Sequence, residues 1–189
     1  MVNDYNLEDL KPLYGEEVKR KTILIGILDL NLYPSLSLAG LSTGSKTLFC
    51  LCCMSGPISA TVYTNKSGYV PGERIIVNAE IENLSNLNIR ASHLKLMQVA
   101  TYMESRRTQT KKTELVTVSR GVIKYGTTIY YEDTVVVVPS VPPSGKVRTG
   151  SIENQYSLEL HVDPSFLVSN LEVKIPIAIG TIPFNNNDS

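Results

Sequence analysis

Residues 152–162, IENQYSLELHV, alternate between outward and inward side chains in a way that leaves few folds open. Ile152, Tyr156, Leu158, Leu160 and Val162 share one side of an extended chain, while Glu153, Gln155, Ser157, Glu159 and His161 share the other. A period of two suits a strand with one buried and one solvated face, and it does not suit a helix. The period returns at Ile58, Ala60 and Val62, at Ile75, Val77, Ala79 and Ile81, and at Val173, Ile175, Ile177 and Ile179. TTIYYEDTVVVV is rich in β-branched and aromatic residues, HLKLMQVATYM is less regularly amphipathic, and LVTVSR returns from a charged tip. About seven strands at this spacing, with no amphipathic helix, predict an all-β, antiparallel, immunoglobulin-like sandwich of two sheets.

The punctuation agrees. NKSGYVPGE places Pro71 where φ is preset and Gly72 where φ must be positive, the requirement of a type II turn before the strand at 74–82. NLSNLN closes that strand, and PSVPPSGKVRTGS is a proline-punctuated loop. Pro176 donates no ladder bond, so its strand is expected at a sheet edge or at a bulge. Residues 22–30, TILIGILDL, read as one apolar strand, and the Ser-, Gly- and Leu-rich NLYPSLSLAGLSTGSK after it reads as a linker or extended connection.

Composition excludes several functions. The 18 basic and 18 acidic residues cancel, which argues against a general nucleic-acid binder, since neutralising phosphates takes a surplus of cations. The opening MVNDYNLEDLKPLYGEEVKRK has no apolar core and cleavage site, so it does not read as a signal peptide. TILIGIL is far short of the roughly 20 residues that span a bilayer. A cytoplasmic setting is therefore expected, and the N-x-S triplets at Asn65, Asn83 and Asn187 are expected to carry no glycan.

Few residues look chemical. Neither His93 nor His161 has a Ser, Cys or Asp spaced for a triad, and His161 falls on the polar side of its strand, where a solvated ring is expected. Cys50 and Cys53 form a C-x-x-C beside Cys52, but they precede a strand rather than opening a helix in a βαβ unit. With no second pair of Cys or His ligands a structural zinc site is incomplete. That leaves small packed hydrophobes or an S-acylation site near a membrane. No carboxylate pair is placed for acid–base work, and no Gly-rich phosphate loop implies a cofactor. Arg106, Arg107, Lys111 and Lys112, partly balanced by Glu104 and Glu114, form a basic tip that reads as a solvated hairpin or as a site for acidic lipid or a phosphorylated tail. No catalytic, cofactor or metal residue is expected, and no partner-binding residue can be named.

Three ordered motifs go further. Gly56 to Ser59, Gly68 to Glu73 and Ile81 to Asn83 match a G-x-I/V-S strand, a G-Y/F-x-P-G-E turn and an apolar strand ending in Glu-Asn. This resembles the opening of the arrestin C-terminal domain in the α-arrestin, or arrestin domain-containing, family. IENQYSLELHV resembles that family's V-x-Y-x-L-x-V-x-V strand, and VKIPIAIGTIPF its closing L-P-I-x-I-G-T-I-P strand. ILDLNLYPSL and KTLFCLCC resemble the end of the preceding arrestin domain and the connection from it, so the likeness covers roughly residues 22–184.

The resemblance implies residues 1–55 as the remnant of an N-terminal arrestin domain plus linker, 56–184 as the C-terminal-type sandwich, and 185–189 as a disordered tail. It implies a non-catalytic adaptor in endocytosis and protein transport. The partners implied are cytosolic tails of membrane proteins and trafficking machinery, with peripheral association at plasma membrane or endosomes. The alternative is a truncated, scaffolding sandwich without adaptor activity. Relatives recruit ubiquitin ligases through P-P-x-Y, but Pro142-Pro143 is followed here by Ser-Gly, and no cysteine beyond Cys53 is present for a thioredoxin disulfide. Docking is expected by addition of an extended peptide to an edge strand, with the Pro176 strand as the candidate, although proline there serves equally to prevent pairing.

Overall fold

Each period-two segment forms a strand in the computed structural model, which describes residues 26–50, 53–104, 107–146, 151–164 and 170–185 and two short strands before them. In chain order these are β1 (Asp4–Asn6), β2 (Lys21–Ile23), β3 (Gly40–Cys50), β4 (Cys53–Thr64), β5 (Gly68–Tyr69) and β6 (Arg74–Asn83). There follow β7 (Ala91–Glu104), β8 (Arg107–Arg120), β9 (Thr127–Val137), β10 (Gly145–Lys146), β11 (Ile152–Asp163) and β12 (Leu171–Ile179). β1 and β2 pair only with each other. One sheet of the sandwich has the order β3-β4-β6-β9, and the other the order β5-β12-β11-β7-β8, with β10 on β11. All pairings are antiparallel except that of β5 with β12.

The core lies between the sheets, and the predicted faces meet there. Ile58, Val62, Ile75, Val77 and Ile81 on one side oppose Leu158, Leu160, Val162, Val173 and Ile175 on the other. The loops pin these registers. Gly72 takes φ 86°, and the Glu73 N–H donates to the Val70 carbonyl at 3.0 Å, completing the predicted turn. The Glu73 carboxylate accepts from the Val70 N–H and pairs with Lys66, whose ammonium lies 5.0 Å from the centre of the Tyr69 ring. Tyr69 is fully buried, and that burial pushes its phenol up to about 12, so it stays neutral. Asn83 works as a second clamp. Its Nδ2 donates to the carbonyls of Leu87 and Lys124, while its Oδ1 accepts from the Ser85 N–H and hydroxyl. Being fully buried, Asn83 offers its N-x-S triplet to no enzyme.

Three segments differ from expectation. The run at 22–30 is not one strand: β2 ends at Ile23, residues 26–28 carry no regular structure, and Leu30 opens a 3-10 turn. Within the stretch read as a linker, Leu30–Leu32 and Pro34–Ser37 form short 3-10 turns, and Gly40–Cys50 is strand β3. The signal is inverted there because β3 crosses closely over β12. A Cβ on Gly44 would stand 2.9 Å from Val173 Cγ2, and one on Gly40 2.7 Å from Ile175 Cγ2. Small residues are therefore on the inside, while Leu41 points out. The charged tip is likewise shorter than it read. β7 runs to Glu104 and β8 starts at Arg107, so Lys111 and Lys112 are strand residues, paired with Ala100 and Val99. Thr108, Thr110 and Thr113 favour an extended chain despite the charges between them.

The start and end of the sandwich are also tied together. The Thr181 N–H donates to the Leu28 carbonyl at 2.8 Å, and the Leu30 N–H to that of Ile182 at 3.2 Å. Leu30 is fully buried against Gly180, where a Cβ would come within 2.7 Å of Leu30 Cγ. The tail predicted at 185–189 lies, beyond Asn185, outside the described residues.

The opening Gly of the first motif has a steric cause that substitution will expose. A Cβ on Gly56 would fall 2.2 Å from the Leu84 carbonyl oxygen, a backbone atom that cannot step aside, whereas one on Gly121 would meet nothing within 4 Å. Gly56→Ala should cost about 1–3 kcal/mol in urea unfolding, and Gly121→Ala should stay within about 0.5 kcal/mol of the parent. Equal costs at the two sites would refute this steric account.

Candidate docking surface

β12 is the outermost long strand of its sheet, as Pro176 predicts, but it is not open. The N–H groups of Ala178 and Gly180 turn away from β11 and donate to the carbonyls of Ser67 and Tyr69 at 2.8 Å each. By alternation the Pro176 nitrogen, two residues earlier, points the same way, just past the end of β5. It therefore forfeits no bond to β11, where it lies opposite Ser157. β3 packs across the inner face of β12 through Gly40 and Gly44. Pro176 and β5 together occupy residues 176–180 of the edge that the sequence nominates for peptide addition.

The opposite border is different. β8 ends its sheet and β9 ends the other. β9 is interrupted by a bulge at Asp133, which takes φ 41° and donates its N–H to Asn78 Oδ1 at 2.9 Å. At the other end of β8, Arg120 lies over the Tyr131 ring of β9 at 4.4 Å, closing the gap between the sheets. From Arg107 to Glu114 β8 pairs with β7 in unbroken register, and residues 107–112 are all exposed. Arg107 and Lys111 share one face of this segment, and Lys112 lies on the other. Arg106, part of the predicted basic tip, lies outside the described residues.

Lys112 also joins a polar cluster on the outer face of the sheet that the sequence did not reveal. Glu159 is 1% exposed, on the side of β11 that alternation assigns to solvent. Its Oε1 accepts from Ser157 Oγ at 2.8 Å and pairs with Lys174 at 3.2 Å; its Oε2 lies 2.9 Å from His161 Nε2 and 3.3 Å from Lys112 Nζ. Glu172 completes the group, 2.8 Å from Lys174 and 3.4 Å from His161. His161 is thus held between two carboxylates rather than solvated, and a carboxylate partner places its proton on Nε2. Its neighbour in the ladder, His93, has Nδ1 2.8 Å from Ser119 Oγ.

Burial acts to raise the Glu159 carboxyl, but hydrogen bonding with Glu172, Ser157, His161 and Lys174 outweighs it and holds the group well below the usual carboxylate range. Hydrogen bonding to Glu172 keeps Lys174 charged to a higher pH than an ordinary lysine. Ligand atoms of Glu159, His161 and Glu172 all lie within 4.8 Å of one another, the spacing of a metal site. Two ammonium groups already stand on those carboxylates, so the arrangement is that of an ion-pair network.

The sulfur residues lie elsewhere. Cys50 and Cys53 are ladder partners at the turn from β3 to β4, a hairpin and not a helix start. Their side chains and Cys52 lie outside the described residues. Among the described residues no helix is long and apolar enough to cross a membrane.

The depressed carboxyl makes Glu159 a source of pH-dependent stability. An unfolded Glu titrates near 4.3, so its contribution is complete above about pH 5 and is lost as pH falls through the lower folded value. Glu159→Gln should destabilise the protein by about 1–3 kcal/mol at neutral pH, the worth of charged hydrogen bonds whose lysine partners can turn to water. It should also flatten the acid side of a stability-against-pH curve. Parallel acid limbs for parent and variant would assign the pH dependence to other groups.

The model of the "Arrestin (or S-antigen), C-terminal domain" family matches residues 54–184. Arrestin domain-containing protein 17 of Caenorhabditis elegans is 31% identical over 181 residues, 92% of this chain and 41% of the relative. Arrestin domain-containing protein 4 of Homo sapiens is 32% identical over 171 residues, 90% of this chain and 40% of the relative. Arrestin domain-containing protein 1 of Homo sapiens is 23% identical over 163 residues, 86% of this chain and 36% of the relative. The chain therefore spans about two-fifths of the length of these relatives. With the matched motifs forming the turn at Gly72, the Asn83 clamp and the Gly180 contact, the chain belongs to the arrestin family, in its arrestin domain-containing branch.

Proposed function

We propose that this protein is a non-catalytic adaptor, docking on cytosolic tails of membrane proteins and joining them to the trafficking machinery of endocytosis and protein transport. It works in the cytoplasm and peripherally at the plasma membrane or endosomes. Residues 1–55 are, in this reading, the remnant of a preceding arrestin domain plus its linker, the linker supplying β3 to the sandwich. The observation that carries it is the arrestin C-terminal match over residues 54–184, laid on a complete two-sheet sandwich. The chemistry on the surface supports it. Among the described residues the cluster of titratable groups around Glu159 is spent on ion pairs between strands. Recruitment of ubiquitin ligases through P-P-x-Y forms no part of the proposal, because Pro142-Pro143 precedes Ser-Gly.

One observation favours a second reading, a scaffolding sandwich that associates with itself. Ile27, Leu32, Tyr33, Leu38 and Ile182 are all exposed around the segment tied to the end of β12. Such a group of apolar side chains favours association.

Proximity labelling in cells with the full chain as bait separates the two. Enrichment of membrane proteins and endocytic components over an unrelated sandwich domain is the expected result. Recovery of the bait itself and chaperones alone would overturn the adaptor reading and leave the scaffold, to be checked by sedimentation of the pure protein.

A further inference from the structure

We infer that the outer face of the β3-β4-β6-β9 sheet is a docking surface, and that its partner is a basic amphipathic helix of another protein. The inference deepens the adaptor reading and rests on it. The inner face of this sheet lines the core, so an outer face turned to water should be polar throughout. One half of it is not. Leu41, Tyr63, Val135 and Val137 point outward and are 42% to 68% exposed, with the half-buried Ile76 among them. The ladder sets them side by side. Leu41 lies opposite Tyr63, Tyr63 opposite Asn78, and Ile76 opposite Val135. Together they make a diagonal stripe from Val137 on β9 to Leu41 on β3. At ordinary strand and residue spacings the stripe is about 20 Å long, the length of about 13 helical residues.

Acids flank the stripe on one side. Glu80 and Glu132 are exposed there, Asp133 joins them at the bulge, and Glu82 follows along β6. Their carboxylates meet neutral groups: Glu80 the Tyr130 hydroxyl at 3.4 Å, Glu82 the Ser59 hydroxyl at 3.3 Å, and Asp133 the Asn78 amide at 3.4 Å. Among the described residues none of these four carboxylates pairs with a cation. On the other flank stands a cation, Arg74, opposite Val137.

Charge and shape choose the occupant. A second copy laid face to face would set four acids against four, with one Arg74 on each side to offset them. An anionic bilayer is repelled by the same acids. An added strand would pair at a border and leave the stripe uncovered. A helix bonds its own backbone and so can lie on a face. Apolar residues at i, i+3, i+4 and i+7 cover the stripe, while Lys or Arg along one flank reach Glu80, Glu132 and Asp133. Arg74 disfavours the reversed helix, whose cations would face it. The ladder fixes the stripe before docking, so the ordering cost falls on the helix.

The test is titration of the full, isotopically labelled chain with a blocked peptide of about 14 residues. It carries Leu at i, i+3, i+4 and i+7 on an Ala background, with Lys along one flank. The same peptide with Glu for Lys, a version broken by a central Pro, and phosphatidylserine vesicles are the alternatives. Binding of the Lys helix, with amide shifts on β4, β6 and β9 and helicity gained by the peptide, is expected. Tyr63→Ser with Val135→Thr removes exposed side chains, keeps the parent melting temperature and should weaken binding about tenfold. Glu80→Lys with Glu132→Lys should weaken the Lys helix about tenfold and admit the Glu helix, an exchange that a merely structural role would not produce. Equal binding of the Glu or Pro peptide by the parent, or shifts confined to other strands, would overturn the inference. So would a dimer of the chain that the Tyr63 and Val135 variant abolishes, binding of vesicles alone, or no binding of any probe. Unchanged cellular partners for that folded variant would sink this site and leave the adaptor reading standing. Absence of partners for the parent chain would sink the adaptor reading itself.

Discussion

Burial of two facing apolar layers is the constraint on which everything else in this molecule depends. Because side chains alternate with a period of two, a slip of one residue in any strand would turn Ile75, Val77 and Ile81, or Leu158, Leu160 and Val162, from the core to water. Each fully buried aliphatic contributes roughly 1.5–3 kcal/mol, so a slip in one strand outweighs any single polar contact described above. The polar contacts have a different task. The Gly72 turn, the Asn83 clamp and the tie between Leu28 and Thr181 stop strands from sliding at the points where a loop could accommodate a shift. The family motifs are therefore largely register devices, and their presence says more about how the chain folds than about what it binds.

That division explains what could be read from the sequence. β4, β6, β11 and β12 announce themselves because their buried sides are aliphatic and their exposed sides polar. The type II turn was legible because Pro71 and Gly72 have backbone preferences of their own. β3 was not, because its inward side must be glycine and serine to let β12 approach, while its exposed side carries Leu41. Alternation was present but inverted, and hydropathy cannot distinguish a crowded interior from a solvated exterior. The charged half of β8 was hidden for a related reason. It is a strand only because β7 supplies the pairing, a long-range cause that no local window contains.

The surface was read least well. Glu159 and His161 alternate as solvated residues should, yet the carboxylate is buried beneath side chains from neighbouring strands. A sheet face becomes dry in places when long lysines lie across it, their stems covering what their charges neutralise. Only the order β12-β11-β7-β8 shows that Lys174 and Lys112 reach the same carboxylate from opposite sides. The sequence contained all the charges and none of the neighbours.

Edges, finally, separate folding from binding in this fold. A sandwich buries its faces but leaves four border strands, and each must be closed, bulged or charged. Here β5 pairs with the end of β12 beside Pro176, and β9 is broken at Asp133. β8 is bulged at Leu115, between its pairs with Leu96 and Met97, and carries Arg107, Lys111 and Lys112 along its outer half. Proline and bulges exclude every partner equally, because they remove or misalign the backbone groups that pairing requires. Charge excludes only like charge. On β8 the charge is partly spent inside the sheet, where the ion pairs of Lys112 with Glu159 and Glu172 hold that edge to β11 and β12.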